Sequence, residues 1–196
     1  MATKGQQMSD QTEIDVIIKN SLQSFSEGIG SLESSGRERE MISLYAFGHL
    51  VKSCHPGTVL FDTAQIGIEV AVRQLARSTS EPRRGKTVCK DLVIWRNPGM
   101  TLWKGKECLH EPLVVMEWKV NYSLGNRQSL AANQRGHAKD VEWLLDTSNR
   151  IDDDKFVGYA VFLDSAKKPQ ELKCVRVQDG KAENWFEFPS ARAVGA

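Results

Sequence analysis

Two short stretches of this chain of 196 residues carry side chains whose types and spacing suggest hydrolytic chemistry. The first, "EPLVVMEWKVN", contains an apolar run that predicts a buried strand and ends in Glu117, Trp118 and Lys119. Side chains alternate along a strand, so Glu117 and Lys119 face the same side. An ion pair on a sheet face contributes little and costs desolvation when it is buried. A metal ion and a phosphate would explain the pair better.

The second stretch is "DLVIW", a short apolar run that predicts another strand, opened by Asp91. If the two strands are neighbours, Asp91, Glu117 and Lys119 converge at one edge of the sheet. The two carboxylates and the backbone carbonyl of Trp118 would then be ligands of Mg²⁺, with Mn²⁺ as a substitute. The ion would activate a bound water and polarise a phosphoryl oxygen, while Lys119 would position or activate that water. The residues therefore predict metal-dependent phosphodiester hydrolysis.

The stretches "KDLVIW" and "VVMEWKVN" resemble the motif of the PD-(D/E)XK nuclease superfamily, which has the restriction-endonuclease-like fold. Glu117-Trp118-Lys119 matches the E-x-K part and Asp91 matches the aspartate, whereas Lys90 stands where the family often has proline. The resemblance covers roughly residues 37 to 164. It implies a Mg²⁺-dependent deoxyribonuclease, and more specifically an endonuclease acting on DNA.

The resemblance also implies further members of the site. Many relatives in the superfamily carry a metal-supporting glutamate on the first core helix, and Glu40, or else Glu38, matches it here. Some carry a glutamine on the helix after E-x-K, for which Gln134 is the first choice and Gln128 the second. Because a subunit with one site usually needs a second copy to cut both strands, a homodimer is one expected arrangement.

The net charge of +1 hides an uneven distribution. The segment from Arg83 to Lys106 has seven basic residues and one acid, or +6, which leaves −5 for the remainder. On charge alone, this segment is either a solvated loop or a face that holds the phosphate backbone of a nucleic acid. In the second case, the predicted nucleic-acid-binding residues are Arg83, Arg84, Lys86, Lys90, Lys104 and Lys106.

Periodicity predicts the elements that must position these residues. They are a helix over 12–25 capped by Thr12 or Asp10, a Gly/Ser-rich break over 26–37, a helix over 37–53, strands over 64–77, 91–95 and 113–120, a helix over 128–148, a strand over 156–164 and a hairpin over 171–188 that turns at Asp179-Gly180.

Two stripes within these elements are specific expectations. In the first strand, alternation predicts a single apolar face made by Ile66, Ile68, Val70 and Val72. In the helix after E-x-K, helical spacing predicts a stripe made by Leu130, Gln134, Ala138, Val141 and Leu145.

The order of elements predicts an α/β fold, in which a mixed central sheet has helices on both sides. The chain should run through a helix, a meander of three strands, a helix and a further strand, which is the restriction-endonuclease-like core, and finish in a hairpin. We divide it into residues 1–36, a loose tail of ten residues followed by a helix packed on the core, and residues 37–196, a single nuclease-like domain.

Composition and cysteine spacing favour an ordinary globular protein. No apolar run approaches the length that crosses a bilayer and the first residues lack the apolar core of a signal peptide, so a cytoplasmic protein without a small-molecule cofactor is expected. A zinc site of Cys54, His55, Cys108 and His110 is the weaker metal hypothesis, because the close pairing of structural zinc ligands is missing. Two other functions remain open: a catalytically silent nuclease fold that binds nucleic acid or protein, and a protein-interaction module with a surface ion pair.

Overall fold

The computed structural model describes residues 4–30, 36–73, 87–100, 103–104, 107–108, 110–122, 129–151 and 156–189. Its helices are α1 (Lys4–Gly30), α2 (Glu38–Gly48) and α3 (Leu130–Ser148), with 3₁₀ turns at Leu50–Ser53 and Thr63–Gln65. Its strands are β1 (Ile66–Arg73), β2 (Thr87–Ile94), β3 (Trp103–Lys104), β4 (Glu107–Cys108), β5 (Val114–Asn121), β6 (Val157–Asp164), β7 (Glu171–Gln178) and β8 (Lys181–Phe188). Within these ranges, no helix has the length and apolar character needed to span a bilayer.

Six strands form one mixed sheet in the order β1-β2-β5-β6-β7-β8. The strands β5 and β6 are parallel, and all other neighbours in this sheet are antiparallel. The short strands β3 and β4 form a separate antiparallel pair. The predicted α/β fold with a mixed sheet is therefore confirmed: β1, β2 and β5 form a meander, α3 follows, and β6 returns parallel to β5.

Helices cover both faces of the sheet, as the sequence predicted. The larger apolar core lies between the sheet and α1 and α2, and the smaller one lies between the sheet and α3. The apolar runs of β5 and β6 are buried on both faces, which explains why their sequences hardly alternate. The sheet is thus the middle layer of three.

The first helix is longer than predicted at both ends. Its apolar residues at helical spacing are buried, with Ile14, Ile18, Leu22 and Phe25 at 0% exposure. However, α1 begins at Lys4, so it includes residues 4–10 of the predicted tail and both predicted caps, and it continues to Gly30 through part of the predicted break. The C-terminal extension has a physical reason, because Ile29 is also buried in the core.

Two other boundaries differ from the prediction. The second helix ends at Gly48 and gives way to a 3₁₀ turn, rather than continuing as one helix to residue 53. The strand β2 begins at Thr87, four residues before Asp91, so Asp91 lies inside the strand and does not open it. The predicted hairpin is confirmed, since Asp179 and Gly180 both have positive φ (51° and 68°), as a tight turn between twisted strands requires.

A half-buried ion pair fastens α1 to the strands β6 and β7. The carboxylate of Asp15 accepts hydrogen bonds from Nε of Arg176 on β7 at 2.7 Å and from its Nη2 at 2.8 Å. It also accepts the hydroxyl hydrogen of the buried Tyr159 on β6 at 2.6 Å. One carboxylate therefore joins the first helix to two strands near the end of the chain.

We expect Asp15→Ala to lower the free energy of unfolding by about 3 kcal/mol, because it leaves the partly buried Arg176 guanidinium with only Glu183 and Gln178 as partners and removes the acceptor of the buried Tyr159 hydroxyl. Urea or thermal unfolding followed by circular dichroism measures the change. The matched control is Lys173→Ala, which removes an exposed ion pair with Glu187 (3.1 Å) and should cost about 0.5 kcal/mol or less. Equal losses in the two variants would show that the contact with Arg176 has no special role.

Candidate functional site

The sheet forks between β2 and β5. The two strands pair only through Leu92–Met116, Val93–Val115 and Ile94–Val114. Beyond this point, residues 87–90 pair with β1 and residues 117–121 pair with β6, but in the described strands they do not pair with each other. The predicted site residues lie where the two strands separate.

Asp91 bridges the fork at its apex. Its Oδ2 accepts the backbone N–H of Trp118 at 2.7 Å, in place of the backbone carbonyl that a continued ladder would supply. A carboxylate that accepts a backbone N–H makes a charge-assisted bond, which is stronger than a neutral one. The bond fixes Asp91 beside Glu117, as the predicted convergence requires.

The alternation of side chains breaks in both strands at the same place. In β1, Ile66 and Ile68 pack with the core under α1 and α2, whereas Val70 and Val72 pack with the core under α3. The predicted single apolar face is therefore wrong. The residue between the two halves, Glu69, has φ of +52°, a left-handed backbone that interrupts the extended period.

The partner strand changes face opposite Glu69. Leu92 and Ile94 face the core under α1 and α2, whereas Val88 and Lys90 face α3, so the change occurs at Asp91. This brings the side chain of Lys90 to the same side of the sheet as Glu117. A regular strand would have placed Lys90 on the same face as Leu92.

Lys90 and Glu117 form a buried ion pair beneath α3. The Nζ of Lys90 contacts Oε1 of Glu117, and the exposed fractions of the two side chains are only 8% and 6%. The same ammonium lies 3.3 Å from the ring centroid of Trp143 on α3, a distance that favours a cation–π interaction. Glu117 is therefore neutralised by a residue that the sequence assigned to a basic surface.

Lys119 occupies a second charged position, about one turn of α3 from the contact between Lys90 and Trp143. Its Nζ donates to the carbonyl oxygen of Trp118 at 2.6 Å and lies 3.3 Å from Oδ2 of Asp140 and 3.6 Å from Oε1 of Glu38. Its aliphatic stem passes Gly136, where an added Cβ would lie 3.3 Å from Cδ of Lys119. A small residue on α3 thus makes room for the lysine stem.

Burial raises the pKa of three carboxyl groups in this region. The pKa of Glu117 rises to about 7 because burial and the neighbouring Asp91 outweigh the opposing effect of Lys90. Burial likewise raises the pKa of Glu38 and that of Asp140. These groups are crowded and desolvated, a state that a bound cation would relieve.

The ammonium of Lys119 is held in its charged form. Burial lowers its pKa, but the carboxylates of Asp140, Glu38 and Asp91 outweigh burial, so that the pKa is raised overall. Lys119 is therefore suited to donate hydrogen bonds or to balance negative charge. It is not suited to remove a proton from water in this arrangement.

The donor set around the fork fits a hard divalent cation in its chemistry. Four carboxylates surround only two ammonium groups; they belong to Glu38, Asp91, Glu117 and Asp140. The buried Oδ2 of Asp140 has its ion pair with Lys119 but no hydrogen bond of good geometry in the described part of the chain. Over the same residues, no three acidic, histidine or cysteine side chains are close enough together to enclose an ion as they stand.

Several predicted site residues lie away from the fork. Glu40 accepts the backbone N–H of Arg37 at 2.7 Å and caps α2, so Glu38, the alternative, is the glutamate that approaches Lys119. Gln134 is exposed on α3, and Gln128 lies outside the described residues.

The basic segment is only partly described. Lys90 is buried against Glu117 and is not on a surface that could hold a nucleic-acid backbone. Arg83, Arg84, Lys86 and Lys106 lie outside the described residues, and only the backbone of Lys104 is described, so their predicted contacts stay predictions.

Sequence reasoning also missed members of the cluster on α3. The predicted stripe is wrong at its start, because Leu130, Gln134 and Ala138 are exposed, and Asn133 and Leu144 are buried instead. The helix faces polar parts of β5 here: Asn133 donates to Oδ1 of Asn121 at 3.3 Å, and Asp140 meets Lys119. A search for polar or small residues at spacings of three, four and seven would have found Asn133, Gly136 and Asp140 on one face.

Comparison of the chain with protein-family models, with curated proteins and with solved structures finds no match.

The change of face at Glu69 yields a stability test. Glu69→Ile should lower the free energy of unfolding by about 1–2 kcal/mol relative to Glu69→Gly, because a β-branched residue resists a left-handed backbone. Both variants lose the exposed ion pair between Glu69 and Arg39, so that contact cancels in the comparison. Chemical denaturation measures the difference.

The sign of this difference is informative because isoleucine normally favours a strand and glycine weakens it. A strand that is regular at Glu69 would make the isoleucine variant the more stable of the two. That order would contradict the change of face described for β1.

Proposed function

We propose that this chain is a divalent-metal-dependent DNA nuclease of the PD-(D/E)XK type. The observation that carries the proposal is the convergence of Asp91, Glu117 and Lys119 at the fork, although Asp91 and Glu117 lie on different strands. Chance occurrence of D…E-x-K in a sequence gives no reason for these side chains to meet. Nor does it give a reason for additional carboxylates from two helices to approach them.

The order of elements supports the same proposal. A helix, the meander β1-β2-β5, the helix α3 and the parallel strand β6 follow one another, which is the arrangement expected of a restriction-endonuclease-like core. Asp91 lies on the second strand of the meander and Glu117 and Lys119 lie on the third, as the motif requires.

Each residue of the site has a proposed role. Asp91 and Glu117 would hold Mg²⁺ or Mn²⁺ through carboxylate oxygens. The carbonyl of Trp118 accepts the ammonium of Lys119 at 2.6 Å, so only its second lone pair would be a further oxygen donor. When bound, the ion would supply Lewis acidity toward a phosphoryl oxygen and lower the pKa of a bound water. Lys119, kept charged by Asp140 and Glu38, would orient the attacking water and balance charge on the phosphorus.

The partner is proposed to be DNA. This choice follows from the motif, and the basic segment from Arg83 to Lys106 is the proposed contact for the phosphate backbone. Phosphate contacts of this kind make binding weaken as salt concentration rises. A homodimer would supply the two sites needed to cut both strands.

One observation favours a second function. Lys90 neutralises Glu117 inside the fold, as a structural ion pair would in a protein that no longer binds metal. A catalytically silent nuclease fold that binds nucleic acid or protein is therefore the alternative proposal. The two proposals differ in whether activity depends on both metal and Lys119.

We expect cleavage of supercoiled plasmid or of a single-stranded oligonucleotide in Mg²⁺ or Mn²⁺, and no cleavage in EDTA. Asp91→Asn, Glu117→Gln and Lys119→Ala should each lower the rate by about 100-fold or more, because each removes a metal ligand or a charge that acts on the transition state. Gel electrophoresis of the products over time measures the rates.

Glu142→Gln, an exposed change on α3, and Lys173→Ala, an exposed change on β7, are the matched controls and should cleave at the wild-type rate. Circular dichroism confirms that each variant is folded. If Lys119→Ala still cleaves at the wild-type rate with metal, the assignment of the E-x-K lysine to the active site is wrong. A folded wild type that cleaves neither substrate would favour the silent binding protein.

The geometry separates the two glutamates of α2. Glu38→Gln should slow cleavage by about tenfold or more, because it removes one of the two carboxylates that hold Lys119. Glu40→Gln should slow it less, since Glu40 only caps the helix. Single-turnover cleavage rates at saturating metal measure both effects, and the reverse order would return the catalytic assignment to Glu40.

A further inference from the structure

Lys90 is the charged residue of the fork that the proposed mechanism does not use. It is buried, and it stands at a motif position where a residue without charge is common in the superfamily that the chain resembles. Burying an ammonium is costly unless it has a partner. Here it has two partners, the carboxylate of Glu117 and the ring of Trp143.

The contact of Lys90 with Glu117 uses an oxygen that a metal would need. An ammonium and a divalent cation cannot occupy the same side of one carboxylate oxygen, because their charges repel and their volumes overlap. As the side chains stand, Glu117 is engaged with a cation that belongs to the protein itself.

The charge of the cluster indicates what would replace the ammonium. With every group in its ionised form, four carboxylates, those of Glu38, Asp91, Glu117 and Asp140, and two ammonium groups, those of Lys90 and Lys119, leave a formal charge of 4 − 2 = 2 negative units. One divalent cation cancels this excess. An additional monovalent cation would not, so the exchange favours a divalent ion.

We propose that Lys90 is the resident counterion of the metal site, which a divalent cation displaces from Glu117 when it binds. Trp143 keeps the displaced ammonium inside the site, because the indole ring still attracts it after Glu117 has turned to the metal. This inference rests on the proposed function, since it concerns the same metal site. It adds that the affinity for metal is set by competition with an internal lysine.

The test measures the binding of Mn²⁺ to the full chain by titration calorimetry, without nucleic acid. Lys90→Met removes the competing charge but keeps an unbranched apolar stem against Trp143, so the dissociation constant should fall by at least about tenfold. Lys90→Arg keeps the charge and can grip the carboxylate with two hydrogen bonds, so the dissociation constant should rise. A residue with a merely structural role would weaken binding in both variants.

The matched control is Lys173→Met, which removes the same charge from an exposed position on β7. Its dissociation constant should stay within about twofold of the wild-type value, because solvent and salt screen a distant exposed charge. If Lys90→Met does not fold in EDTA, because Glu117 has lost its partner, then Lys90→Gln takes its place: the amide can still donate a hydrogen bond to Glu117 but carries no charge, so the dissociation constant should again fall. Weaker binding in Lys90→Gln would overturn the inference.

Glu117→Gln separates failure of this inference from failure of the proposed function. Suppose the wild type binds Mn²⁺, Glu117→Gln does not, and Lys90→Met binds no more tightly than the wild type. The metal site then stands and the competition by Lys90 is overturned. If neither the wild type nor Lys90→Met binds Mn²⁺, or if Glu117→Gln binds as well as the wild type, both the metal site and the inference are overturned.

Discussion

The hydrogen bond from the backbone N–H of Trp118 to the carboxylate of Asp91 is the contact on which the site depends. Strands β2 and β5 part at this point, and their backbone groups would otherwise face a gap in the sheet. A buried N–H without an acceptor is costly, so the carboxylate both satisfies the backbone and closes the apex of the fork. The same bond holds the negative charge of the half-buried Asp91 at the apex of the fork, where other charged side chains surround it.

The charged side chains around Asp91 come from every layer of the fold. Lys90 comes from β2, Lys119 from β5, Glu38 from α2 and Asp140 from α3. A buried ion pair stabilises a fold only weakly, because desolvation takes back most of the attraction. The cluster is therefore poorly explained as a device for stability, whereas a site that handles a cation and a charged substrate needs such groups.

The sequence predicted the features that depend on local patterns. The apolar runs of β5 and β6, the stripe of α1 and the Asp179-Gly180 turn are visible in a few consecutive residues, and the α/β architecture follows from their order. The convergence of Asp91 with Glu117 and Lys119 could also be expected, since it needs only that two strands be neighbours.

The parts that the sequence did not predict depend on contacts between distant residues. Strict alternation gives no sign that β1 and β2 change face together, because that change requires a left-handed residue at Glu69 and the fork opposite it. Lys90 was therefore assigned to a surface, although it lies beside Glu117. The polar face of α3 was missed for a related reason: hydrophobic periodicity cannot find a helix surface that packs on charged residues.

The anchoring of α1 has a consequence for how the protein is made. Its Asp15 binds Arg176, which is 161 positions further along the chain. The contact can therefore form only after the ribosome has synthesised most of β7. Until then, the stripe of Ile14, Ile18 and Leu22 lacks part of its core, since Leu172, Cys174 and Phe186 also come from the last strands. At usual elongation rates of about 5–20 residues per second, this incomplete burial lasts for several seconds or longer, a period in which chaperones can bind the stripe.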